Sequence, residues 1–417
     1  MPGIATAPAP ARPEFPFVDG FRGAAALLVV VYHAFLFTGM RGDAAERMPV
    51  WQSVIGMGYV GVPIFIVLSG FVLMLPVVTS ERLWFRRGTW DFLKRRARRI
   101  LPPYYAALVL TLILIAAVPV MQSHGGTQWD SKVPVTWKSI LAHLFLAHDF
   151  SPNWIGKISG PLWSVAVEWH IYFLMPLLLL LWRRVPGWLV VTGLLVVSMS
   201  PAVTARIGYA HPWFIALFAA GMLAAQITMS DRRVRGVRTA MALAAVLVVV
   251  VWNLRRAGEI MMVPPVAAFE TAVAILLATI LVWGGRAARK GRTPLALRPF
   301  ASRPALFLGL ISYSVYLVHS PLLGMANLLL LPLGLSTMRQ YLLLTLVVVP
   351  LVLVVCWLFY LAVERHFLNH RQRHASDELA RARHEGISDE DDAEPAVLRR
   401  DPGPAAPRTG TPTSARR

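Results

Sequence analysis

A single cysteine, Cys356, stands in a chain of 417 residues, and it falls inside an apolar run. That excludes an intrachain disulfide and a cysteine metal centre, so packing alone is expected to hold the fold. Acidic residues are also scarce: 22 Asp and Glu face 41 Lys and Arg, for a formal charge of +19. No Gly-rich phosphate loop, Walker pattern or dinucleotide fingerprint occurs, which leaves nucleotide hydrolysis without support. No internal repeat is visible. No cleavable signal peptide is expected either, because the start is Pro/Ala-rich and the first apolar run is long enough to remain as an anchor.

Apolar residues are abundant, at 56% against 15% charged, and they recur in runs near the length that crosses a bilayer. Runs at 23–39, 58–78, 100–120, 163–182, 187–205, 211–228, 238–254, 264–283, 306–331 and 341–362 predict an all-α, polytopic integral membrane bundle of about 10 transmembrane helices. The connections alternate in charge. One set, including "ERLWFRRGTWDFLKRRARR" and "DRRVRGVR", holds about twenty Lys and Arg, and the other about nine. The positive-inside rule then places the arginine-rich set and both termini in the cytoplasm, in a plasma (inner) membrane, with the loop near 121–162 facing outward. The same placement accounts for the basic excess and argues against nucleic acid. Residues 1–16 and the charged tail 366–417 are expected to be disordered around a membrane domain at 17–365.

Polar residues inside the runs are the candidates for function. Arg22 and His33 are eleven apart, three turns plus about 20°, so they share a face roughly 16 Å apart. Ser69 and Gly70 interrupt "GVPIFIVLSGFVLMLP", where close helix packing competes with a role for the hydroxyl. Glu168 lies inside "LWSVAVEWHIYFLMP", where a carboxylate must be protonated, paired or exposed to water. Ser312, Tyr316 and His319 follow i, i+4, i+7 spacing, which implies either a cavity or interhelical hydrogen bonds. Arg96 and Arg99 lie one turn apart, and arginine forks suit phosphate, although topology and anionic membrane lipids also explain such a cluster. An imidazole near a carboxylate is a common way to take a proton from a hydroxyl. Two histidines and a carboxylate on three helices lack local ligand spacing, so no metal is expected. Trp129, Trp137, His143, His148 and Trp154 of the outward loop suit either sugar stacking or interfacial anchoring.

Taken in order, "FVDGFRGAAALLVVVYH", "GVPIFIVLSGF", "RRARRILPPYY", "LWSVAVEWHIYFLMP" and "ISYSVYLVHSP" resemble landmarks of the membrane acyltransferase 3 family, bacterial O-acyltransferases acting on surface polysaccharides, peptidoglycan, lipid-linked sugars or macrolides. The resemblance runs from about Phe17 to Arg365. It implies transfer of an acyl group, most often acetyl, from acyl-CoA to a hydroxyl, with no permanently bound cofactor. His33 would act as base or transient acyl carrier, and Glu168 would orient the histidine or the acceptor. Arg96, Arg99 and Arg22 would meet donor phosphates, and Ser69, Tyr316 and His319 would line the acyl path. Where many members carry Glu-Glu or Glu-Gln, this chain has Glu168 followed by Trp169 and His170. The competing class is a transporter or flippase, since intramembrane ionisable groups also mark proton relays.

Overall fold

The computed structural model describes residues 15–258 and 264–368, and every regular element in them is helical. Of the ends expected to be disordered, 1–14 and 369–417 lie outside the described residues. Phe15 is buried, and proline at a first-turn position opens the first helix at Pro16, where its missing N–H is not needed. In chain order the helices are α1 (Pro16–Phe37), α2 (Pro49–Val78), α3 (Gly88–Ala117), α4 (Leu162–Trp182), α5 (Gly187–Met199 and Pro201–Ala210, bent by 60°), α6 (Phe214–Met229), α7 (Val237–Ala257), α8 (Pro265–Ala288), α9 (Arg303–Leu333) and α10 (Thr337–Ala362). Every hydropathy run becomes one of these. Eight are long and apolar enough to cross a membrane, and the bent α5 makes a possible ninth. The expected tenth, α6, has 16 residues and so reaches about 24 Å, short of the hydrocarbon thickness. The protein is a multi-pass membrane bundle.

Two close helix contacts organise the interior. On α2 and α6, a methyl group at Gly70 would overlap the carbonyl of Phe218, and one at Gly221 would overlap the carbonyl of Val67. On α1 and α9, Gly23 lies against Leu308 and Gly309, and Gly309 against the backbone of Asp19. In lipid, where apolar surface gives helices little reason to associate, such backbone approach is what holds them in register. Gly70 therefore has the packing role, while its neighbour Ser69 turns inward.

The connection between α3 and α4 closes the end of the bundle opposite the arginine-rich loops. Its Trp129 is fully buried, donates Nε1–H to the Met121 carbonyl at 2.8 Å, and sits over Gly324 of α9 and Phe37 of α1. The short helix Trp137–Leu144 starts with a reciprocal cap, Thr136 accepting from the Ser139 amide at 3.2 Å and Ser139 Oγ from the Thr136 amide at 3.0 Å. Tyr104 and Tyr105 of α3 donate to the carbonyls of His143 and Leu144 at 2.9 and 2.7 Å, tying the loop down. His143 and His148 stack at 3.9 Å and are buried, so of the loop residues suited to sugar, Trp129 and these two are packing groups, whereas Trp137 is exposed.

Two predictions follow from this packing. Gly70→Ala is expected to destabilise the protein by about 1–3 kcal/mol in thermal unfolding, as overpacking does, while Gly193→Ala, which faces open space, leaves the melting temperature in place. Burial also lowers His143 to about 4 and His148 to about 3, from 6.5. Both are therefore neutral when folded, and the unfolded chain takes up more protons below the ordinary value. Stability is expected to hold above pH 6.5 and to fall as pH drops through the interval toward 4 and 3. His148→Phe should flatten that dependence; a melting temperature constant across the interval would contradict this account.

Candidate active site

A chamber of about 790 Å³ opens among α1, α2, α3, α4 and α9, lined by Arg22, Arg86, Arg87, Arg95, Arg96 and Arg99. These cations are not equivalent. Arg95 pairs with Asp91 one turn earlier. Arg99 is held by Glu364 at 2.7 Å, and this carboxylate is fully buried just beyond α10. The amide and hydroxyl of Ser314 also donate to Glu364, at 3.0 and 2.5 Å, and the Arg99 guanidinium lies 5.8 Å from the Tyr313 ring. Arg99 thus reaches the chamber already neutralised. Arg96 has no ion pair among the described residues, and its Nε, like Nη1 of Arg99, is buried without a hydrogen-bond partner there.

At its inner end the chamber meets Ser69, Glu168 and Tyr172. Ser69 of α2 and Tyr172 of α4 both donate to Oε1 of Glu168, each at 2.5 Å. Tyr172 follows Glu168 by four residues and Ser164 precedes it by four, so one face of α4 carries all three. A narrow cavity of about 50 Å³ continues inward, sharing Arg22, Ser69, Glu168 and Tyr313 with the chamber and adding Ser164 and Tyr316. Ser164 Oγ and the Tyr316 hydroxyl lie 2.5 Å apart.

Beyond Tyr316 stand the two histidines. The rings of His33 on α1 and His319 on α9 meet edge to face with centroids 4.9 Å apart, and the Tyr316 ring is 6.1 Å from His319. In each ring Nδ1 lies near the carbonyl one turn back, Val29 at 2.9 Å and Val315 at 2.8 Å. A carbonyl only accepts, so Nδ1 carries the hydrogen and Nε2 is the basic nitrogen of each neutral ring. The His319 Nε2 is buried without a partner. Because the α1 and α9 backbones touch at Gly23 and Gly309, side chains ten residues further along each helix, nearly three turns, are brought ring to ring.

The structure therefore gathers Arg22, Ser69, Arg96, Arg99 and Glu168 at the chamber and His33, Tyr316 and His319 beyond it. It does not bring Glu168 to the histidines: that carboxylate binds Ser69 and Tyr172, and backbone carbonyls orient the rings. Sequence reasoning missed Ser164 and Tyr172, although the spacing from Glu168 carried the signal. Glu364 gave no such sign, because it sits where the chain turns polar. Glu270 of α8 was also missed; it is buried and accepts from Trp213 Nε1 at 2.6 Å. Among the described residues, no three His, Cys, Asp or Glu side chains group as metal ligands.

Comparison with known proteins agrees with the motifs. Acyltransferase MdmB of Streptomyces mycarofaciens is 26% identical over 177 residues, 42% of this chain and 41% of the relative. The putative peptidoglycan O-acetyltransferase YrhL of Bacillus subtilis (strain 168) is 30% identical over 172 residues, 39% of this chain and 23% of the relative. The putative membrane-bound transacylase BcsY of Komagataeibacter xylinus is 26% identical over 377 residues, 85% of this chain and 83% of the relative. The chain spans less than half the length of the first two. No solved structure matches it. Residues 15–361 match the family model described as an acyltransferase domain, and the chain belongs to that membrane acyltransferase family.

Proposed function

We propose that this protein moves an acyl group, acetyl in the simplest case, from acyl-CoA to a hydroxyl of a glycan, glycolipid or macrolide-type acceptor. The observation that carries the reading is a sequence of neighbours: a basic chamber narrows past Ser69 and Glu168 to Tyr316, whose ring lies 6.1 Å from that of His319, and His319 meets His33 ring to ring. The names of the relatives, an acyltransferase, a peptidoglycan O-acetyltransferase and a transacylase, support the same chemistry. The arginine-rich end and both termini lie in the cytoplasm, in the plasma membrane, where acyl-CoA is available and anionic lipid headgroups meet the outermost arginines.

The donor phosphates dock at Arg96 and Arg22, with Arg99 set in place by Glu364. The thioester passes the constriction toward His33. There Nε2 of His33 takes the proton of the acceptor hydroxyl, the alkoxide attacks the thioester carbonyl, and the carbon–sulfur bond breaks. The departing thiolate recovers the proton from the imidazolium. A neutral tautomer with Nδ1 already donating to Val29 is the form this step requires. Glu168, Ser69 and Tyr172 fix the wall past which the acyl arm slides. His319 lines the far side and presents a second basic nitrogen.

The test is transfer from radiolabelled acetyl-CoA by purified protein in lipid. His33→Ala is expected to lower turnover by about 10²–10⁴-fold, the range for losing a general base. Arg96→Gln, by contrast, should raise the acetyl-CoA KM by roughly tenfold or more, as loss of a charged hydrogen bond does. An unchanged rate in His33→Ala, or no acetyl-CoA binding by the wild type, would overturn the reading.

A further inference from the structure

Lys132 occupies an unusual position for a cation. It closes the 3-10 turn Gln128–Lys132 in the loop that caps the bundle, is only 9% exposed, and makes no hydrogen bond or ion pair among the described residues. Asp130, two residues earlier, is committed to the amides of Gly125 and Gly126 and the Thr127 hydroxyl. The charged groups that bear on Lys132 are Lys157 and Arg41, both cations, and burial with their repulsion brings the ammonium down to about 8. Lys157 itself donates to the Val133 carbonyl at 2.8 Å. A cation in a largely buried side chain, with only other cations bearing on it, gains from an anion.

The surroundings show where that anion would sit. A methyl group built at Gly160 would lie 3.2 Å from Lys132 Nζ and 3.9 Å from Ser320 Oγ, so both atoms pack against that glycine and face the same point. Ser320 follows His319, and the hydroxyls of Ser320 and Ser159 and the Nε2 of His319 are all buried without hydrogen-bond partners. A lysine that merely snorkels would carry its ammonium outward along apolar surface; this one packs against Gly160, as does the buried, unpartnered hydroxyl of Ser320.

We infer that Lys132, with Ser320 and Ser159, forms an oxyanion subsite on the far side of the histidine pair, where the acceptor places a carboxylate or phosphate while its hydroxyl faces His33. The subsite rests on the proposed transfer for its meaning but not for its detection. It selects acceptors that carry an acid group near the hydroxyl to be acylated, and its two serines donate to the oxygens that Lys132 leaves free.

Thermal unfolding of the full chain in lipid nanodiscs tests this, with D-glucose, D-glucuronate and D-glucose 6-phosphate as probes at matched ionic strength. Glucuronate, glucose 6-phosphate or both are expected to raise the melting temperature by about 2–4 °C, and glucose to leave it unmoved. Which anion acts identifies the acid as carboxylate or phosphate. Lys132→Met should lose the shift while melting no lower than wild type without ligand, since it removes an unpaired buried charge; Lys132→Arg should keep the shift. Three results would overturn the subsite: equal shifts with glucose, no shift with either anion, or a shift that survives Lys132→Met but disappears in Arg96→Gln, which would put the anion in the basic chamber. A lower melting point for Lys132→Met with the anion shift intact would make the lysine structural. Acetyl-CoA binding, followed separately, tells the two readings apart: protection by anions without acetyl-CoA binding leaves the subsite and removes the transfer, and the reverse leaves the transfer and removes the subsite.

Discussion

The backbone contact between α1 and α9 is the constraint on which the interior depends. Gly23 and Gly309 let two long helices run against each other with no side chain between them, and only at that separation do His33 and His319 meet ring to ring. Each helix supplies the orientation of its own imidazole through a carbonyl one turn back, so no third side chain is needed to choose the tautomer. A bulkier residue at either glycine would separate the rings without altering a single polar group. The histidine pair is thus encoded in the smallest residues of the two spans as much as in the histidines themselves.

Polar groups in the bundle divide into those that are satisfied and those left open. Ser69, Glu168 and Tyr172 saturate one carboxylate oxygen; Glu364 draws Arg99 and Ser314 together, and Trp213 pairs with Glu270. Such sets fix helices at their ends, where an unsatisfied group in hydrocarbon would be costly. Among the open groups, Arg96 Nε borders the basic chamber and His319 Nε2 and the Ser320 and Ser159 hydroxyls lie toward the capping loop, while others, such as the hydroxyls of Thr228 on α6 and Thr271 on α8, lie elsewhere in the bundle. Structural roles account for the first class, and on the proposed function Arg96 and the histidine pair from the second class border the path of the substrates.

Much of this was legible in the chain and some was not, for identifiable physical reasons. Hydropathy marks ten helices because lipid-facing runs are apolar all round, but it does not see that α6 is too short to span or that α5 bends by 60°. Arg22, His33, Glu168 and His319 stand out because an ionisable residue in a span is rare. Their partners do not: Ser164, Tyr172 and Ser314 are common in helices, and only the fold shows that Ser164 bonds Tyr316 and Ser314 bonds Glu364. Of the two roles expected of Glu168, orienting the histidine or the acceptor, the first has no hydrogen bond behind it, for a simple reason. Spacing along one helix fixes a face, whereas depth relative to another helix depends on packing, and Glu168 lies at the depth of Arg22 and Ser69.

Lys132 was invisible to sequence reasoning because a lysine in a polar loop looks like a solvated surface charge. It becomes conspicuous only when the loop folds back and buries it beside Gly160 and Ser320, with two further cations near and no carboxylate to pair with. The same loop is held by features with ordinary structural explanations, namely the Thr136 cap, the buried Trp129 and the stacked pair His143 and His148. Those features leave the backbone no freedom to move the ammonium away from its neighbours. A scaffold that rigid, built around a charge it does not neutralise, is the arrangement expected of a site whose counter-ion arrives with the substrate.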